Sequence, residues 1–105
     1  MPLSHRTTEE GMRIDILIDG RFDYMLAQDF RGIYEAQSED TPVDYHIDLS
    51  ATDFMDSTAL GMLLLIREHA HKHGGSVCIE HPSMYADITL KTARFDDLFR
   101  INKAA

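Results

Sequence analysis

Two stretches of this chain alternate apolar and polar residues with period two, the signature of a β-strand. Met12, Ile14, Ile16 and Ile18 are separated by Arg13, Asp15 and Leu17, and the pattern ends at Asp19-Gly20. Val43, Tyr45, Ile47 and Leu49 are separated by Asp44, His46 and Asp48. Ser76 to His81 reads as a third strand, and Arg100-Ile101-Asn102 as a short last one. The polar segment from Leu3 to Glu9 pairs with the first of these through a turn at Glu10-Gly11.

Between the strands the period changes. Leu26, Phe30, Ile33, Tyr34 and Gln37 follow helical spacing, which predicts a helix from Tyr24 to Ser38 with Asp23 as its N-cap and Asp40-Thr41-Pro42 as its stop. Ser50 to Asp53 reads as a loop. Ala59 to Ile66 is apolar on every face for two turns and predicts a buried helix. It turns polar at Arg67 and ends in His and Lys before Gly74-Gly75, a favourable C-terminus. A further helix runs from Ser83 to Ala93, and Phe95 to Phe99 forms a closing turn. Strands alternating with helices imply parallel pairing through right-handed crossovers. The expectation is one α/β domain over residues 1–105, with a four- to five-stranded, mostly parallel mixed sheet and three to four helices. Asp44 and His46 make their strand more polar than one covered on both faces, so either one sheet face is partly open or His46 has a buried partner.

Composition narrows the function. Eighteen acidic residues against 10 basic ones give a formal charge of -8, which repels phosphate backbones and anionic lipid and favours a partner with a basic face. Nucleic-acid binding is therefore disfavoured. The longest apolar stretch is too short to span a bilayer, and the N-terminus lacks the apolar core of a signal peptide. The lone Cys78 sits in the apolar run Val77-Cys78-Ile79 and is expected to pack as a small hydrophobe. A reducing cytoplasm fits these features. His69 and His73 lie one helical turn apart, at chelating spacing, but no third ligand is indicated and the helix dipole accounts for them, so no metal is expected. No Gly-x-Ser-x-Gly elbow or Walker-type loop is present, so neither catalysis nor a cofactor is expected.

The segment Asp56-Ser57-Thr58-Ala59-Leu60-Gly61 lies where a strand feeds a helix, a common place for sites in open α/β sheets. Ser57 reads as the N-cap of the buried helix, where unpaired N–H groups and the dipole suit an anion. From the residues alone, the favoured reading is that Ser57 is only a cap. Gly61 could serve only to let the helix approach the sheet closely.

Phe54-Met55-Asp56-Ser57-Thr58-Ala59-Leu60-Gly61, after Asp48-Leu49-Ser50, resembles the signature of the STAS family, and of bacterial anti-sigma factor antagonists in particular. Gly20-Arg21-Phe22-Asp23 is similar to that family's lead-in to its first helix, and Phe95 to Ile101 to its closing segment. Ala59 stands where many members have Gly. The resemblance implies a partner switch: the unphosphorylated domain binds an anti-sigma factor that is also a GHKL-type serine kinase. That kinase phosphorylates Ser57, with Thr58 the second choice, and a metal-dependent serine/threonine phosphatase reverses it. It also implies a partner face of Asp23, Asp56, Ser57, Thr58, Leu60 and Gly61, and a domain that is monomeric when free. The alternative within the family is a constitutive subunit of a transporter ATPase or sensory complex, with Ser57 only a helix cap.

Overall fold

The computed structural model describes residues 2–8, 12–37 and 40–103. The turn expected at Glu10-Gly11 and the helix end expected at Ser38 lie outside them. The elements follow one another as β1 (Leu3–Thr7), β2 (Arg13–Ile18), β3 (Gly20–Phe22), a 3-10 turn (Tyr24–Leu26), α1 (Ala27–Glu35), β4 (Asp44–Asp48) and β5 (Thr52–Met55). Then come α2 (Ser57–Lys72), β6 (Ser76–Glu80), α3 (Met84–Thr92), a second 3-10 turn (Phe95–Asp97) and β7 (Arg100–Asn102).

Five strands form one sheet in the order β1-β2-β4-β6-β7. Only β1 runs antiparallel; the β2–β4, β4–β6 and β6–β7 pairs are parallel. Period two then sorts the residues by face. Ile14, Ile16, Ile18, Tyr45, Ile47, Val77 and Ile79 point into one core, which also takes buried residues from all three helices. The other face carries the row Asp15, His46, Cys78 and Arg100, and beside it Leu17, Asp48, Glu80 and Asn102, aligned by strand register. This polar face opens into shallow grooves. The one-sided sheet is the physical reason that Asp44, His46 and Asp48 are tolerated in a central strand.

Two expectations change. Ser50 to Asp53 is not all loop: Thr52–Met55 forms β5, which pairs in parallel with β3 as a separate two-stranded sheet. No alternation marks β5, because its strand identity comes from its partner and from the buried Thr52, whose hydroxyl donates to the Ile18 carbonyl at 3.0 Å. The helix from Ala59 is buried on one side only: Ala59, Met62, Leu63, Ile66 and Ala70 face the core, while Leu64 and Leu65 are 41% and 54% exposed.

The turn after α2 fixes how that helix meets β4. Gly74 adopts φ +83, a left-handed conformation suited to glycine. Its N–H donates to the His71 carbonyl, and the Gly75 N–H donates to the Ala70 carbonyl at 2.7 Å, closing a Schellman motif. A Cβ on Gly75 would sit 2.0 Å from the Val43 carbonyl oxygen, whereas a Cβ on Gly61 meets nothing within 4 Å. Close helix–sheet approach therefore explains Gly75 and not Gly61. Gly75→Ala is expected to destabilise the fold by about 1–3 kcal/mol through overpacking. Gly61→Ala is expected to stabilise it by about 0.5–1 kcal/mol through helix propensity. Thermal unfolding of the two variants, with melting shifts of opposite sign, checks both.

Candidate functional site

The β3–β5 pair builds the site. Arg21 is in register with Phe54 and Phe22 with Met55, so the next residues, Asp23 and Asp56, leave the two strands together. Each caps the helical turn that follows. Asp23 accepts from the Met25 N–H at 3.0 Å, and Asp56 accepts from the Ala59 N–H at 3.0 Å. The N-cap of α2 is thus Asp56, not Ser57. Asp56 has the extended backbone of a cap, φ -125 and ψ -174, while Ser57 is the first helical residue. A carboxylate at this position complements the dipole better than a hydroxyl, and it leaves the Ser57 side chain exposed.

The expected site residues divide into supporting and presented groups. Asp23 is buried, with one carboxylate oxygen on Met25 and the other 3.3 Å from Arg21 Nε. Asp56 is half-buried and occupied as a cap. Ser57 and Thr58 are exposed, Leu60 is half-buried against the core, and Gly61 lies one turn beyond Ser57 with open space above it. Ser57, Gly61 and Leu64 recur at i, i+4 and i+7, so they share one face of α2.

Sequence reasoning missed the apolar surroundings of this face. Tyr24 and Met25 are 69% and 73% exposed on the loop after β3, and Tyr24 and Leu65 line a groove of about 390 Å³ between α1 and α2. On the other side of Phe54, the Arg21 guanidinium lies 4.0 Å above its ring and Tyr85 packs 6.0 Å away, next to exposed Met84 and Ile88. A run of apolar residues in α2 with no polar face was the available signal: a two-turn apolar run on a helix that covers one side of a sheet must expose part of itself. Apolar clusters of this kind rimmed by polar groups mark interaction surfaces.

Cys78 does not join the core. It faces the open side of the sheet, buried, 3.4 Å from Glu80 Oε1 and 3.2 Å from Asn102 Nδ2. Burial pushes its thiol up to about 11, with the hydrogen bond to Glu80 and that group's charge adding to the effect, so it is protonated at neutral pH. Burial alone would raise the Glu80 carboxyl, but hydrogen bonds from His46, Asn102 and Cys78 outweigh it and hold the group below the usual range. His46 Nδ1 lies 2.8 Å from Glu80 Oε1, so the open face also gives His46 a partner. At the far end of α2, the His69 ring packs 4.8 Å from Tyr34 and 4.5 Å from His73. Among the described residues, no helix is long and apolar enough to cross a membrane.

A one-sided, mostly parallel sheet, with an exposed serine beside a capping aspartate, defines a small mixed α/β domain that presents one helix face. A profile of the STAS domain matches residues 7–104. A STAS-domain containing protein of Pseudomonas aeruginosa strain UCBPP-PA14 is 36% identical over 102 residues, covering 97% of this chain and all of that one. Among solved structures, the anti-sigma factor antagonist SpoIIAA in its unphosphorylated form superposes with a TM-score of 0.77 at 17% identity, over 98% of this chain and 89% of that one. The phosphorylated form of the Bacillus protein gives 0.77 at 13% identity, over 98% and 91%. An anti-sigma factor antagonist from Mycobacterium paratuberculosis gives 0.75 at 18%, over 97% and 86%. At such identities the structures establish a shared fold. The chain belongs to the STAS domain family.

The division of labour between Asp56 and Ser57 is open to measurement. Asp56→Ala removes the cap and is expected to cost about 1 kcal/mol, a fall in melting temperature of about 4–8 °C for a domain of this size. Ser57→Ala, which removes no cap, is expected to stay within about 0.5 kcal/mol of wild type. Equal losses in the two variants would return the cap to Ser57.

Proposed function

We propose that this chain is an anti-sigma factor antagonist that binds an anti-sigma factor in its unphosphorylated form and is switched off by phosphorylation at Ser57. The observation that carries the reading is the exposed Ser57 hydroxyl at the first position of α2, relieved of capping by Asp56. The partner would be a GHKL-type serine kinase that modifies the serine it binds, and a metal-dependent serine/threonine phosphatase would reset the domain. This chain then serves as a binding module, not an enzyme, and any ATP or metal for the cycle belongs to the partners. The exposed apolar residues Met25, Leu64 and Leu65 supply contact area around Ser57, and the open space over Gly61 admits a close approach.

A phosphate on Ser57 adds about -1.5 to -2 charges at neutral pH. At a helix N-terminus the dipole and first-turn N–H groups accommodate an anion, so no refolding is needed. Where a partner brings acidic groups close to Ser57, Asp56 and the -8 charge of the chain add to the repulsion.

Recovery of bound proteins from native cells with wild type, Ser57→Ala and Ser57→Asp tests the reading. Wild type and Ser57→Ala are expected to retain a GHKL-type ATPase, and Ser57→Asp to lose it at least tenfold. If all three instead hold the same transporter ATPase, the domain is a constitutive subunit and Ser57 is no switch.

A further inference from the structure

The polar face of the sheet carries the one group of three potential metal ligands found among the described residues: His46, Cys78 and Glu80, whose ligand atoms all lie within 4.8 Å of one another. Strand register creates the cluster. His46 on β4 pairs directly with Cys78 on β6, and Glu80 lies two residues further along β6 on the same face. We infer that His46 Nδ1, Cys78 Sγ and a Glu80 carboxylate oxygen form a binding site for one Zn²⁺ ion, with the fourth position open to water.

Three observations support the assignment. First, Glu80 Oε1 is crowded. It lies 2.8 Å from His46 Nδ1, 3.4 Å from Cys78 Sγ and 3.2 Å from Asn102 Nδ2. One carboxylate oxygen offers about two lone-pair directions, so three donors compete for it. A cation among the same atoms takes the place of the imidazole and thiol protons and removes that competition. Second, the spacing is close to what zinc needs. Bonds of about 2.0–2.3 Å in a tetrahedron set ligand atoms about 3.3–3.6 Å apart. The Cys78–Glu80 pair at 3.4 Å already has this spacing, the His46–Glu80 pair at 2.8 Å must open, and all three atoms lie within 4.8 Å. Third, an outer contact to the sulfur is already in place. Asn102 Nδ2 lies 3.2 Å from Cys78 Sγ and donates to it, an outer contact of the type that orients metal ligands. Grooves on either side of His46, one reaching Glu80 and the other Cys78 and Asn102, give an ion access.

The donor set selects the ion. Imidazole and thiolate favour Zn²⁺ over Mg²⁺ or Ca²⁺, which prefer oxygen ligands. A thiolate and a carboxylate together cancel the charge of the dication, so the occupied site is neutral. It would join β4 to β6 on the sheet face away from α2, independent of the Ser57 switch.

Co²⁺ is the spectroscopic stand-in, used on the full chain freed of any purification tag. Because Cys78 is the only cysteine, a thiolate-to-cobalt charge-transfer band reports this site alone. The expected result is one Co²⁺ per chain with that band and tetrahedral visible absorption, both displaced by one equivalent of Zn²⁺. Cys78→Ser should abolish the band, and His46→Gln and Glu80→Gln should each weaken binding at least tenfold. A His69→Gln/His73→Gln double variant should leave it unchanged. Zinc-edge X-ray absorption of the wild type, which needs no variant to fold, should show one sulfur ligand. Metal bound without a sulfur ligand, or a band indifferent to both His46→Gln and Glu80→Gln, overturns the proposal.

Discussion

The structure depends on a sheet that is buried on one face only. Isoleucines at alternate positions of β2, with Tyr45, Ile47, Val77 and Ile79 on the neighbouring strands, drive all three helices onto the same side. Burying such side chains is worth about 1.5–3 kcal/mol each. Period two then leaves the intervening positions of the central strands β2, β4 and β6 on the face opposite the core. From that single constraint come the two candidate surfaces. One is the end of the sheet where β3 and β5 deliver paired loops to helix starts, and the other is the polar face with its His46, Cys78 and Glu80 cluster.

The paired loops show why the aspartates precede the presented residues. A hydroxyl used as an N-cap is tied to a backbone N–H of its own helix and is a poor acceptor of further chemistry. With the Asp56 carboxylate on Ala59 N–H, the helix is closed one residue earlier and Ser57 projects outward. Asp23 plays the same part for the 3-10 turn that leads into α1. It also engages Arg21, whose guanidinium sits over the Phe54 ring and so links the two short strands. The small β3–β5 sheet thus acts as a rigid mount for Ser57, and the Ser83 hydroxyl bonded to the Thr52 carbonyl at 2.5 Å ties α3 to the same mount.

Much of this was legible in the chain. The alternation in β2 and β4, the helical spacing of Phe30, Ile33 and Tyr34, and the Gly74-Gly75 stop all act locally, and all appear where the pattern put them. What was hidden depended on partners distant in sequence. β5 exists because β3 lies beside it, and Thr52–Met55 has no period of its own. Ser57 and Asp56 are both good caps, and only the backbone angles decide between them. Cys78 sits in a run of three apolar residues, so composition places it in the core. Counting by twos from Val77 and Ile79, which point inward, turns it to the face of His46 instead.

The proposed switch is also adequate in magnitude without any movement of the fold. A hundredfold loss of affinity corresponds to about 2.7 kcal/mol. Placing like charges against each other in an interface costs several kcal/mol. The phosphate would sit one residue from Asp56, on a helix face lined by Leu64 and rising from an acidic domain. Desolvation of that charge by the apolar rim weakens screening and raises the penalty further. At the same time the N-terminal dipole of α2 stabilises the free phosphorylated chain. The dipole acts on the phosphate in the free and the bound chain alike and so keeps the fold intact without shifting binding. Release then comes from the like charges and the apolar rim of the modified complex, and no bistable element is needed.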